Sequence, residues 1–179
     1  MKGYVKIYLF YSLIFLTSAS LSAGLFFAYG IRVFPTEVFE GGTGFTVLGL
    51  TEASALLLRP LVLMLLGAFT VYSCFISSAA CLYAGAVTGR LAIRYCLSAH
   101  NPFTHCAVLI FLIVAGTIFV MMSKEAATCR SRMRYTVPDS VELLRADTTS
   151  SVIKCFTESV FTVLALSTAM YLLLIYFPL

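Results

Sequence analysis

The chain has no tryptophan, only two histidines and few charges. Asp, Glu, Lys and Arg together make up 11% of its 179 residues. A soluble domain carries roughly a quarter of its residues as charges, so this composition excludes one. What replaces the charge is apolar: 60% of the residues are hydrophobic and the mean hydropathy is +0.97. The chain therefore reads as an integral membrane protein whose first partner is the lipid bilayer. Its length suits one helix bundle with no separate soluble domain. Without tryptophan, an aromatic belt at the membrane surfaces falls to its 10 tyrosines and 15 phenylalanines.

Other absences exclude chemistry. None of the six cysteines (Cys74, Cys81, Cys96, Cys106, Cys129 and Cys155) forms a C-x-x-C pair. Cys74 and Cys81 share a helical face, but a rise of about 10.5 Å is beyond disulfide reach. They read as small apolar packing residues, and no cluster has the ligand spacing of a metal site. No Ser-His-Asp order, no pair of carboxylates within a span and no phosphate loop is present. "EGGTGF" at 40–45 has the glycines of a loop but no lysine after them. The expectation is a non-enzyme with no cofactor. The net charge of +4 lies beside apolar runs, where orientation signals and lipid headgroups explain it better than nucleic acid does.

The apolar runs set the architecture. Residues 7–31 are uncharged, long enough to cross a bilayer with some tilt. "SAS" at 18–20 resembles a signal-peptide cleavage site, but the apolar run continues past it, so an uncleaved first span is expected. Within it, "SASLSAG" (18–24) sets Ser18 with Ser22, Ala19 with Ala23 and Ser20 with Gly24, a small-xxx-small pattern suited to close helix packing. Residues 32–52, with Pro35, four glycines and three acids, read as a loop outside the membrane. Residues 53–89 are 37 residues with one charge, Arg59. One helix of that length would measure about 55 Å, so a hairpin turning near 72–78 is favoured over a single pass. Pro60 then falls near the start of its helix and Arg59 near the membrane surface. Asn101 and Pro102 read as an N-cap and first helical residue.

Charge arbitrates between four spans and five. Four would leave four Lys and Arg residues inside and eight outside. Five reverse those numbers by placing 123–157 inside, and the positive-inside rule prefers five. The expectation is an all-α transmembrane bundle with spans at about 7–31, 54–72, 76–95, 102–122 and 158–177. Its N-terminus is inside, its C-terminus outside, and 123–157 forms a basic cytoplasmic segment. Arg130, Arg132 and Arg134 would then face anionic lipid or serve as a topogenic patch.

Among polar residues, Arg59, His100, Asn101, His105 and Glu158 lie near span ends. Each is a candidate contact weighed against anchoring, capping or helix-dipole roles. Gly67, Gly85 and Gly89 are candidate packing positions. For Gly85 and Gly89, contact within the chain is the default, with a homo-oligomer or partner face and a solute path as alternatives.

The order of parts resembles the stage II sporulation protein M family of bacterial membrane proteins. The resemblance rests on Arg59 opening a second helix, Gly67 near its end, Gly85 and Gly89 in a third, and His100, Asn101 and Phe103 at the start of a fourth. Many relatives carry an acid soon after that turn, where Thr104 and His105 stand here. The resemblance implies a multi-span scaffold without catalysis, recruiting protein partners such as cell-wall hydrolases in the membrane or outside it. A small membrane subunit of a transporter complex is the alternative.

Overall fold

The computed structural model describes residues 2–30, 47–98, 102–134 and 141–176. These form five long helices and one π-helical turn: α1 (Lys2–Leu25) running into the π turn (Phe26–Gly30), α2 (Val47–Ala68), α3 (Ser73–Ser98), α4 (Pro102–Arg134) and α5 (Val141–Tyr176). Strand is absent among the described residues, and the helices meet the demand of a bilayer: with no water to satisfy backbone N–H and C=O, each helical crossing bonds internally. Threonine and serine fit into these helices by returning their hydroxyls to the carbonyl four residues back, as at Thr17, Thr88, Ser123, Ser159 and Thr162.

Among the described residues, four stretches are long and apolar enough to cross a membrane: Val5–Ala28, Ser73–Ile93, His105–Cys129 and Thr148–Leu173. The chain is a multi-pass, all-α membrane protein. The stretch 53–89 is divided between two helices, α2 and α3, by the short turn at 69–72. There the Thr70 N–H and hydroxyl both donate to the Gly67 carbonyl, at 3.0 and 2.8 Å, satisfying one end of α2. The apolar part of α2 is shorter, Ser54–Ala68, but the whole helix has 22 residues and measures about 33 Å.

Contacts fix the directions. Tyr11 meets Cys81, Phe15 meets Gly85 and Ala19 meets Gly89, so α1 and α3 run parallel at a constant offset. Cys74 meets Ala127, and Tyr8 meets Lys124, so α4 runs against both. Met64 meets Ser123, so α2 runs with α4. The N-terminus, the 69–72 turn and the link from α4 to α5 consequently share one end of the bundle. α3 and α4 form its centre, α1 lies on one side, and α2 and α5 on the other. Phe111, Phe119, Leu57, Leu61, Met64, Met122 and Val163 fill the core.

Helix limits differ from the expected ones where polarity misleads. α2 begins at Val47, inside the expected loop, so Pro60 lies in the helix interior, not in its first turn. The expected polar segment 123–157 is helical through Arg134 and again from Val141. Val152 and Thr148 are buried there, because short hydroxyl side chains let α5 pack on α4 well before Glu158.

Candidate functional site

A close helix approach forms a seam between α1 and α3, built from the two small-residue patterns of the sequence. A β-carbon on Gly85 would lie 2.6 Å from the Phe15 carbonyl oxygen and 3.0 Å from Ser18 Cβ. One on Gly89 would collide with the carbonyl of Ala19. With the backbones this close, Ser18 donates to the Leu82 carbonyl at 2.5 Å and Ser22 to the Ala86 carbonyl at 2.7 Å. The glycine pair therefore admits the backbone of α1, not that of its hairpin partner α2. The hairpin uses Gly67 instead, where a β-carbon would strike the Ile76 side chain.

At mid-height the bundle is filled by aromatic rings. Phe15 and Phe119 stack with centroids 6.1 Å apart, and Gly116 leaves room for the Phe15 edge. Fully buried Phe111, Leu57 and Leu61 extend this layer.

Below it, toward the N-terminal end, lies a charged cluster. Lys124 and Glu125 form an ion pair at 2.9 Å, with side chains only 12% and 16% exposed. Lys124 Nζ also donates to Tyr8 Oη at 3.1 Å and stands 4.6 Å from the centre of that ring. The Lys124–Tyr8 contact ties α1 to α4. The residues of the ion pair stand where the expected span ended, and a Lys-Glu dipeptide in that place has the sequence signature of an interfacial flank. The available signal was the run that follows it: Ala126, Ala127, Thr128 and Cys129 are small and uncharged, as a helix that stays packed requires.

Arg59 lies level with the middle of the neighbouring spans. Gly67 abuts Ile76 in an antiparallel pair, so counting eight residues back from one and eight forward from the other sets Arg59 level with Ala84. Ala84 is one residue from the centre of the span Ser73–Ile93. Counting back from the Met64–Ser123 contact, Arg59 is level with Ile118, again near the centre of His105–Cys129. Arg59 is exposed, on the outward stripe of α2 with Val62, Leu63 and Leu66, and has no ion pair among the described residues. An arginine at the bilayer centre costs about 3 kcal/mol on insertion scales.

Glu158 is exposed on α5 and lies 4.0 Å from Lys154 one turn away. Arg90 is exposed and stands 5.4 Å from the ring centre of Phe26, in the π turn that ends α1. His105 is exposed in the first turns of α4. Arg130, Arg132 and Arg134 lie on the last helical turns of α4, with side chains outside the described ones, and His100 and Asn101 lie outside the described residues. Groups of three metal-ligating side chains are absent among the described residues. The chain matches no family model, no curated protein and no solved structure.

Proposed function

We propose that this protein is a non-catalytic membrane scaffold of the stage II sporulation protein M type, in a bacterial cytoplasmic membrane, recruiting protein partners such as cell-wall hydrolases. The observation that carries this reading is the sealed mid-height of the bundle. Phe15, Phe119, Phe111, Leu57 and Leu61 are at most 3% exposed there, and a polar solute has no favourable route through a close-packed apolar layer. What such a bundle offers is its surface. Much of α1 and α5 faces outward, and α4 carries basic residues past the level of Lys6. In this reading α2 is a fifth crossing, the N-terminus and the Arg130–Arg134 turn are cytoplasmic, and the C-terminus is outside.

The test is cross-linking in native membranes followed by affinity recovery of the full chain and identification of what comes with it. A wall hydrolase or another extracytoplasmic protein is the expected companion. Recovery of an ATPase or permease subunit instead would replace the scaffold by a transporter component, the reading favoured by the half-buried Lys124–Glu125 pair, since charge inside a membrane bundle commonly marks an ion or proton path. Reporter fusions at residue 179 and within 135–140 check the topology separately. A cytoplasmic C-terminus would remove the fifth crossing.

A further inference from the structure

We infer that the outward face formed by α2 and α5 is an interface with a second copy of this chain, closed by two reciprocal Arg59–Glu158 ion pairs near the centre of the membrane. The starting point is Arg59, level with the middle of two spans yet turned away from the bundle. An arginine side chain is too short to carry its charge from that depth to either surface, where half the hydrocarbon thickness is about 15 Å. Lipid is therefore the wrong cover for this face, and a carboxylate at the same depth is the right one.

The chain carries one. Glu158 lies between two and three residues from the centre of Thr148–Leu173, and its side chain is 67% exposed. It follows that Arg59 and Glu158 differ in depth by about 5 Å, within the combined reach of the two side chains. Its contact with Lys154 is long, at 4.0 Å, and Lys154 is itself 77% exposed and one turn nearer the membrane surface. Such a pair leaves the carboxylate free for a better partner.

Two copies inserted in the same direction are related by an axis along the membrane normal, which preserves depth. A two-fold axis of that kind brings Arg59 of each copy to Glu158 of the other. α2 and α5 pack against each other, so both groups lie on neighbouring helices. The stripe around them is apolar and exposed: Val62, Leu63 and Leu66 on α2, Phe161 and Leu172 on α5. The inference rests on α2 crossing the membrane, not on the scaffold reading.

The experiment counts copies of the full chain in native-membrane nanodiscs by single-molecule photobleaching. It compares the natural chain with Arg59→Glu, Glu158→Arg, and the two variants co-expressed under different tags. The natural chain should be dimeric. Each single variant alone places like charges together and should lose dimer by about tenfold or more. Co-expression should restore a mixed dimer. One of its two contacts then joins the natural Arg59 and Glu158, and the other joins the two substituted side chains, whose charges are simply exchanged. This rescue also shows that both variants fold. A monomeric natural chain overturns the proposal, as does dimerisation unchanged by either variant, failure of the mixed dimer, or cross-linking of this face to a different protein. The reporter fusions above show separately whether α2 crosses.

Discussion

α1 is held to the bundle in two places that use opposite means. Along α3 the contact depends on side chains that are missing: Gly85 and Gly89 let the two backbones close until Ser18 and Ser22 reach carbonyls on the facing helix. Along α4 it depends on side chains that are present and charged: Tyr8 against Lys124, and Lys124 against Glu125. The seam buries no charge, and its energy is spread over many weak contacts. The clamp concentrates its energy in one cation. In a membrane, where apolar burial alone does not drive helices together, both devices are needed to define a position: shape for the closeness and polarity for the register.

The clamp should break most severely. Lys124→Met leaves the largely covered Glu125 without its cation, a loss approaching the cost of about 3 kcal/mol for removing one partner of a fully buried pair. Unfolding by steric trapping in bicelles would register the loss. Replacing both residues, Lys124→Met with Glu125→Leu, should recover most of it, since a buried pair exchanged for apolar groups is often near neutral. If the double variant were as unstable as the single one, the pair would be doing more than satisfying itself.

The seam should break next, and its glycines should not be equivalent to the one in the hairpin. At Gly89 the obstacle to a β-carbon is the Ala19 backbone, which cannot step aside without moving α1. Gly89→Ala should destabilise by about 2 kcal/mol, in the range of overpacked cores. At Gly67 the obstacle is the Ile76 side chain. Gly67→Ala should cost about 1 kcal/mol, part of it offset by the better helix propensity of alanine. Gly24 has nothing within 4 Å, so Gly24→Ala should be neutral or slightly stabilising. Thermal unfolding in one detergent would rank all three, and a Gly89 variant as stable as the Gly24 one would mean that the seam does not fix α1.

The same three glycines show how far the sequence could be read. The small-residue pattern of "SASLSAG" and the Gly85–Gly89 pair were visible separately, as was the hairpin in 53–89. That the two patterns are each other's partners was not, because helix spacing gives a face but not the helix that it meets. Ser20 and Gly24 have the same spacing as Ser18 and Ser22 yet point away from α3. The place of Arg59 within its helix differs from the expected one for a related reason. The glycines of 41–52 and the acid that ends it resemble a loop, and α2 starts within them, which moves Arg59 from near the start of the helix to its interior. The charged clamp was hidden because a span is ordinarily ended at its first lysine, although a lysine facing a neighbouring tyrosine is covered by protein instead of water.

The smallest effect should come from the two seam hydroxyls. Ser18→Ala and Ser22→Ala each remove one hydroxyl-to-carbonyl bond while keeping the backbones close, and such bonds in membrane proteins average about 0.6 kcal/mol. The carbonyls of Leu82 and Ala86 retain their helical partners in the variants, so nothing is left orphaned and the loss stays small. The Ser22 bond is the more buried of the two and should show the larger share. Adding Gly89→Ala to Ser22→Ala separates shape from polarity. Once the glycine is filled, the helices stand too far apart for the hydroxyl to reach, so the second substitution should add almost nothing. A fully additive pair would mean that the hydroxyl bonds form without the close approach, and that the seam is held by polarity as the clamp is.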